Sequence, residues 1–261
     1  MARPDRTYCV ALRLFSAHFR LMGYQITVQG ADNIPSHGPA VVATNHTSFL
    51  DFVMVGYVAR VRGRLVRFMS KASVFDKPVV GRWMRSMRHI KVNRATGASA
   101  YRRATGHIER GQLVGVFPEA TISRSWQLKQ FKRGAAGLAV SQGVPVIPVI
   151  VWGAHRIWTV DGRRSWRRKI PISITVGEPL LAAEDETVDA FNDRLRQVME
   201  SMLDQAIDQY QDGTPEGQWW LPHDKSGSAP TRHQAAELDR AAVARLGDTF
   251  EDQPDQPAEA P

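Results

Sequence analysis

The sequence predicts an α/β fold with a mostly parallel central sheet flanked by helices. Three observations carry that expectation. Short apolar, β-rich runs alternate with longer helix-like stretches along the chain, the order expected when crossover helices join parallel strands. One run, "VPVIPVIVWG" (144–153), is strongly apolar throughout and reads as a buried strand. Polar residues, His46, Arg94 and Glu119, stand at the ends of three predicted strands, and ligands of such sheets bind beyond the carboxyl ends of the strands.

The elements follow in order. "YCVALRLFSAHFRLM" (8–22) places Tyr8, Ala11, Leu12, Phe15, Phe19 and Met22 on one helical stripe, with Arg13, Ser16 and Arg20 on the other side. The stripe suits a helix packed on its own domain or one lying in a membrane interface, with aromatics among the lipids; the interfacial reading is the expectation once an acceptor that lives in a bilayer is considered. "ADNIPSHGP" is a connection. "AVVATNH" (40–46) is a buried strand, and "TSFLDFVMVGYVAR" a helix with Thr47 or Ser48 placed to cap it. Strand and helix then alternate through "LVRFMS" (65–70), "KPVVGRWMRSM", "HIKVNR" (89–94), "GASAYRRATGHIERG", "QLVGVFPE" (112–119) and "QFKRGAAGLAVSQG". After the 144–153 strand come an Asp-Gly turn at 161–162, a basic stretch, a strand at "ISITVG" and a long amphipathic helix at "ETVDAFNDRLRQVMESMLDQAIDQY". From residue 212 the chain turns rich in Gly, Pro, Gln and acids. The expected organisation is an N-terminal amphipathic helix (1–24), one domain (25–211) and a largely disordered tail (212–261), with a short helix near "AAELDRAAVARL" and local docking of Trp219–Trp220.

Composition narrows the function. Residues 181–261 hold 18 acidic and 6 basic side chains, so a chain of net charge +8 carries +20 in its first 180 residues. Such a field favours an anionic partner: nucleic acid, an acidic membrane or a phosphorylated substrate. The chain lacks an aromatic-basic strand motif, zinc pattern or helix-turn-helix signature, which argues against nucleic acid. A single cysteine, Cys9, excludes an intrachain disulfide and a cysteine-rich zinc site. No apolar run is long enough for a membrane span, and Arg13 and Arg20 interrupt the only candidate secretory signal.

In "ATNHTSFLDF" (43–52) a histidine ends a strand and an aspartate follows five residues later, in the first turn of a helix. A carboxylate bonded to one imidazole nitrogen fixes the tautomer and leaves the other nitrogen as a base. No G-x-S-x-G elbow supplies a serine nucleophile, so direct attack by a substrate hydroxyl fits His46 better than a covalent enzyme. "VFPEATISRS" (116–125) offers Glu119, Thr121, Ser123 and Arg124 in one loop, and Arg94 closes a strand with Lys71, Lys91 and Lys132 as further cations.

"NHTSFLD", "VNR", "FPEATIS" and "VPVIPVIVWG" together follow the order and spacing of the glycerolipid acyltransferases. Over roughly residues 25–185 the chain resembles the bacterial 1-acyl-glycerol-3-phosphate (lysophosphatidate) acyltransferase type. The resemblance implies that His46 is the general base and Asp51 its orienting partner. It implies that Arg94 is a phosphate ligand, that Glu119 and its loop bind the glycerol-phosphate end, and that Pro145 and Pro148 have a structural or acyl-proximal role. Arg124 or Lys91 would assist with the phosphate, and Thr121 and Ser123 match the family's third block. That block ordinarily reads Glu-Gly-Thr-Arg-Ser; here Ala120 replaces the glycine and Ile122 the arginine, which leaves another lysolipid acceptor open. The implied reaction takes acyl-CoA or acyl-carrier protein as co-substrate, needs no cofactor or metal, and uses backbone N–H groups after His46 or in the 119–123 loop against the oxyanion. The expected location is peripheral, at the cytoplasmic face of a membrane. There "GRRSWRRK" with Trp152, Trp158 and Trp166 would meet anionic headgroups.

Overall fold

The structure is a computed structural model and describes residues 5–93 and 97–245. Helix α1 (Arg6–Met22) stops at Gly23, which takes the left-handed conformation (φ 67°) that glycine adopts without a Cβ penalty. Tyr8, Ala11, Leu12, Phe19 and Met22 are all buried, and the Tyr8 hydroxyl donates to the Val66 carbonyl at 3.1 Å. The apolar stripe of α1 is therefore a domain-packing face, and the interfacial role expected for that stripe is overturned. A Cβ at Gly56 of helix α2 (Asp51–Val61) would sit 3.1 Å from the Tyr8 hydroxyl, so the bare backbone lets α1 approach closely.

Among the described residues seven strands form one sheet: β1 (Gln25–Gln29), β2 (Ala40–Thr44), β3 (Val66–Lys71), β4 (Ile90–Val92), β5 (Leu113–Val116), β6 (Val146–Trp152) and β7 (Pro171–Val176), in the order β1-β7-β6-β2-β5-β3-β4. β2 pairs parallel with β5 and β6, and β3 parallel with β5 and β4. β7 runs antiparallel to β6, and β1 parallel to β7. Five parallel strands thus hold the site and two reversed strands close one side. β1 was not anticipated.

Helices cover both faces. α1, α2, α3 (Ala72–Phe75) and α4 (Pro78–Ser86) bury Leu12, Met54, Phe75 and Met84 against Phe68, Ile147 and Ile174. On the other face α5 (Gly97–Ile108), α6 (Gly134–Gln142) and α7 (Val188–Asp208) bury Ala104, Leu138 and Phe191 against Val114, Ile150 and Trp152. Each fully buried large apolar side chain contributes ~1.5–3 kcal/mol, so two such layers fix the sheet between its helices. β2 is buried at every position, as expected for a central strand covered on both faces.

The fold does not stop at residue 211. Trp220, Leu221 and Ala229 are buried in the α7-side layer, and helix α8 (Arg232–Arg245) follows. The expectation of a largely disordered tail from 212 is corrected over residues 212–245; residues 246–261 lie outside the described part. The short apolar segment around Trp220 suffices because Arg156, buried beneath it, stacks 4.1 Å from the Trp220 ring and pairs with Asp212 at 2.7 Å.

Candidate active site

The carboxyl ends of β2, β5 and β6 lie side by side, and each sends a polar loop to one place. His46 follows β2. Its Nδ1 lies 3.1 Å from Oδ2 of Asp51, the first residue of α2. Oδ2 also accepts the backbone N–H groups of Thr47 and Ser48, each at 2.8 Å. The five-residue interval closes because the carboxylate gathers the intervening turn onto itself. Burial pushes the Asp51 carboxyl above the ordinary carboxylate range, and the bonds from His46, Ser48 and Thr47 pull it back. An oxygen facing three donors, at the positive end of a helix, is suited to the ionised form. The Asp51 side chain is fully buried and that of His46 is 20% exposed, so the imidazole reaches solvent with Nε2 free of the aspartate.

Capping differs from expectation. α2 begins at Asp51 without a side-chain cap. Ser48 Oγ instead accepts Leu50 N–H at 3.0 Å and donates to the Trp158 carbonyl at 2.7 Å. Thr159 Oγ1 donates to the Thr47 carbonyl at 2.6 Å. Asn45 pairs with both backbone groups of Val151, at 3.0 and 2.8 Å. These bonds moor the histidine turn to the end of β6.

Glu119 moors it to β5. Its Oε1 accepts the backbone N–H of His46 at 2.8 Å, and its Oε2 that of Lys129 at 3.0 Å. Ser123 N–H donates to the His46 carbonyl at 2.8 Å, and the Phe117 ring stacks on the imidazole with centroids 4.0 Å apart. Burial raises the Glu119 carboxyl to about 7 against the bonds from Lys129 and His46. Both Glu119 oxygens are thus spent on backbone, and Ser123 Oγ donates to the Gln127 carbonyl at 2.6 Å. These two residues shape the site from behind.

The other expected residues divide. Thr121 Oγ1 accepts from Lys129 Nζ at 2.8 Å, and Arg124 meets Asp161 and Asp239. Lys91 lies on the edge strand β4, paired with Asp76 at 2.9 Å, and is not brought to His46. Arg94 lies outside the described residues. Ile122 is buried and adds no charge. The carbonyls of Pro145 and Pro148 accept Val41 N–H at 3.0 Å and Gly177 N–H at 2.8 Å. Ala120, at the family's glycine position, has φ 60°, the region glycine enters freely and alanine at a cost. The N–H groups of Thr47 and Ser48 serve Asp51 and that of Phe49 serves the Trp158 carbonyl, so the expected oxyanion donors after His46 are occupied. Lys129 and Phe117 were not singled out from sequence as site residues; the signal was their placement in or beside the Glu119 loop. A basic cleft of about 470 Å³ lined by Arg102, Arg103, His107 and Arg110 lies elsewhere, by the amino end of β4, so the hydrogen-bonded chemistry rather than cavity size locates the site. Among the described residues no group of three or more His, Cys, Asp or Glu side chains could hold a metal.

A partly exposed histidine held by a buried aspartate, beyond the carboxyl ends of parallel strands, is an arrangement able to serve as a general base. Residues 25–152 match the family model called Acyltransferase, so the chain carries a domain of that family. It is 34% identical over 139 residues to a chloroplastic 1-acyl-sn-glycerol-3-phosphate acyltransferase, BAT2, of Brassica napus, covering 51% of this chain and 39% of that one. Identity to a 1-acyl-sn-glycerol-3-phosphate acyltransferase of Chlamydomonas reinhardtii is 30%, covering 69% and 53% of the two chains. The match thus spans about two-fifths to one-half of these relatives' length. The fold is that of a 1-acyl-sn-glycerophosphate acyltransferase, PlsC, from Thermotoga maritima, with TM-score 0.64, 22% identity, and 81% and 86% of the two chains covered.

Proposed function

We propose that the chain transfers a fatty acyl group from a thioester carrier, acyl-CoA or acyl-carrier protein, to the free hydroxyl of lysophosphatidate, giving phosphatidate. The observation that carries this reading is the His46 Nδ1–Asp51 Oδ2 contact at 3.1 Å in the turn after β2. Nε2 takes the hydroxyl proton as the oxygen attacks the thioester carbonyl. Asp51 holds the ring and offsets the imidazolium charge. The tetrahedral intermediate collapses by expelling the thiolate, which receives the proton from His46. The N–H of Ile122 is the candidate oxyanion donor, since Ala120, Thr121 and Ser123 in that loop donate to the Phe117, Glu119 and His46 carbonyls. Arg94, from the resemblance, and Arg124 bind the acceptor's phosphate.

A peripheral place on a membrane fits this acceptor. Among the described residues no helix is long and apolar enough to cross a bilayer. The surface favouring adsorption is not the buried stripe of α1 but a second row on that helix, Val10, Leu14 and Leu21, which is exposed, as are Val79, Val80 and Trp83 on α4, a helix in contact with α1. Trp166, 81% exposed, stands among Arg163, Arg164, Arg167, Arg168 and Lys169, a composition suited to anionic headgroups. Another lysolipid acceptor is the second reading, favoured by the buried Ile122 where the family carries arginine. A thiol-release assay of purified protein over a panel of lysolipids decides between them: fastest turnover on lysophosphatidate supports the first, and turnover confined to another lysolipid supports the second. No turnover on any acceptor defeats both.

A further inference from the structure

Arg124 and Lys129 project from the loop that also carries Glu119 and Thr121, and a single carboxylate bridges them. One oxygen of Asp239, on α8, meets Arg124 Nη1 and the other meets Lys129 Nζ. Arg124 is further held by Asp161, with Nε and Nη2 each 3.1 Å from one carboxylate oxygen. Lys129 Nζ also donates to Thr121 Oγ1 at 2.8 Å and to the Ile122 carbonyl at 3.2 Å. Two cations and two carboxylates leave the cluster neutral. Removing Asp239 would bare one N–H on each cation, both aimed at one point, with a net positive charge beside a threonine hydroxyl. A phosphomonoester, with a charge of about −1.5 to −2 shared over three terminal oxygens, matches that pair of donors as the carboxylate does.

The helix that delivers Asp239 is lightly attached. From Arg232 to Ala244 of α8, only Ala235 is buried, and Leu238 is 45% exposed. Its other ties are polar: Arg232 Nη2 lies 3.6 Å from Glu200, and Arg232 Nε donates to Gln127 at 3.2 Å. The chain before it is anchored by Trp220, Leu221 and Ala229. A reciprocal Thr231–Gln234 cap starts the helix immediately after Pro230. A segment with few apolar contacts and a firm base opens at low cost compared with the domain.

We infer that Arg124, Lys129 and the Thr121 hydroxyl form a seat for the phosphate of an anionic acceptor, and that α8 is a lid whose Asp239 carboxylate occupies this seat until the phosphate displaces it. The inference rests on the acceptor proposed above being a phosphomonoester. Acceptor affinity is then reduced by the fraction of molecules with the lid open.

Two measurements on the full chain test it. Glycerol 3-phosphate should speed hydrogen exchange of residues 232–245 while glycerol does not; unchanged exchange would overturn the lid. Asp239→Asn should lower the KM for lysophosphatidate about fivefold or more with kcat little changed. Glu237→Gln on the same helix should leave KM as it was, and so should Asp239→Asn with an acceptor lacking phosphate. An Asp239→Asn KM equal to that of the wild type for lysophosphatidate would reject the proposal. If the wild type fails to turn over lysophosphatidate but its α8 exchange responds to glycerol 3-phosphate, the acceptor assignment fails and the seat stands.

Discussion

Glu119 accepts a hydrogen bond from the backbone N–H of His46 at 2.8 Å, while its other oxygen accepts that of Lys129 at 3.0 Å. One side chain thus ties the end of β5 to the end of β2 and sets the height of the imidazole. In Glu119→Gln the amide nitrogen must face one of those N–H donors. Stability should fall by ~1–3 kcal/mol, and kcat should fall roughly ten- to hundredfold as His46 shifts. Urea unfolding and steady-state kinetics check both; wild-type values in both would show that the tie is incidental.

The same residue gives a pH signature. Burial raises the Glu119 carboxyl from 4.5 to about 7, so between those values the folded protein holds a proton that the unfolded chain releases. Its contribution to stability is complete below 4.5 and is lost as pH rises through 7. Unfolding measured across that range should show a falling component in the wild type that Glu119→Gln lacks. Parallel profiles would contradict the assignment.

Asp51→Asn keeps the shape of the turn but sets an amide among three donors, the His46 ring and the Thr47 and Ser48 N–H groups. With the amide oxygen in the place of Oδ2 those three bonds persist, but the neutral side chain no longer offsets the imidazolium charge, and its NH2 group takes the buried, partnerless place of Oδ1. Turnover should fall by about two to four orders of magnitude, chiefly in kcat. A change confined to KM would assign Asp51 to binding.

Ala120 sits at φ 60°. The left-handed conformation costs an alanine ~1–2 kcal/mol, and glycine gives back ~0.5–1 kcal/mol in chain entropy. Ala120→Gly should therefore stabilise the protein by up to ~1 kcal/mol, seen as a higher denaturation midpoint at constant slope. A lower midpoint would mean that the loop is not strained there.

Leu14 and Leu21 are 57% and 68% exposed on α1. Replacing both with aspartate should leave the fold unchanged and reduce sedimentation with anionic vesicles. Equal sedimentation would remove α1 from the membrane surface and leave the Trp166 loop to account for it.

The five parallel strands were legible because each is a short apolar run ending in a polar residue, and His46, Asp51 and Glu119 were legible as the residues ending or following them. Other features were not. β1 is an edge strand, "QITVQ", whose burial alternates between exposed and half-buried, so composition gives it little signal. The stripe on α1 fits a domain face and a lipid face equally; the partner that decides, Gly56 with Val66, is distant in sequence. Trp220 and Leu221 are surrounded by polar turn residues, and their burial depends on Arg156 and Trp126 beneath them. The role of Glu119 was hidden because its partners are backbone N–H groups, which carry no residue identity.

The central claim is that His46 is the base that activates the acceptor hydroxyl. Thiol release from acyl-CoA, with lysophosphatidate as acceptor, compares the wild type with His46→Ala at matched folding by circular dichroism. The account predicts a loss of turnover of about two orders of magnitude or more. Turnover equal to the wild type would contradict it.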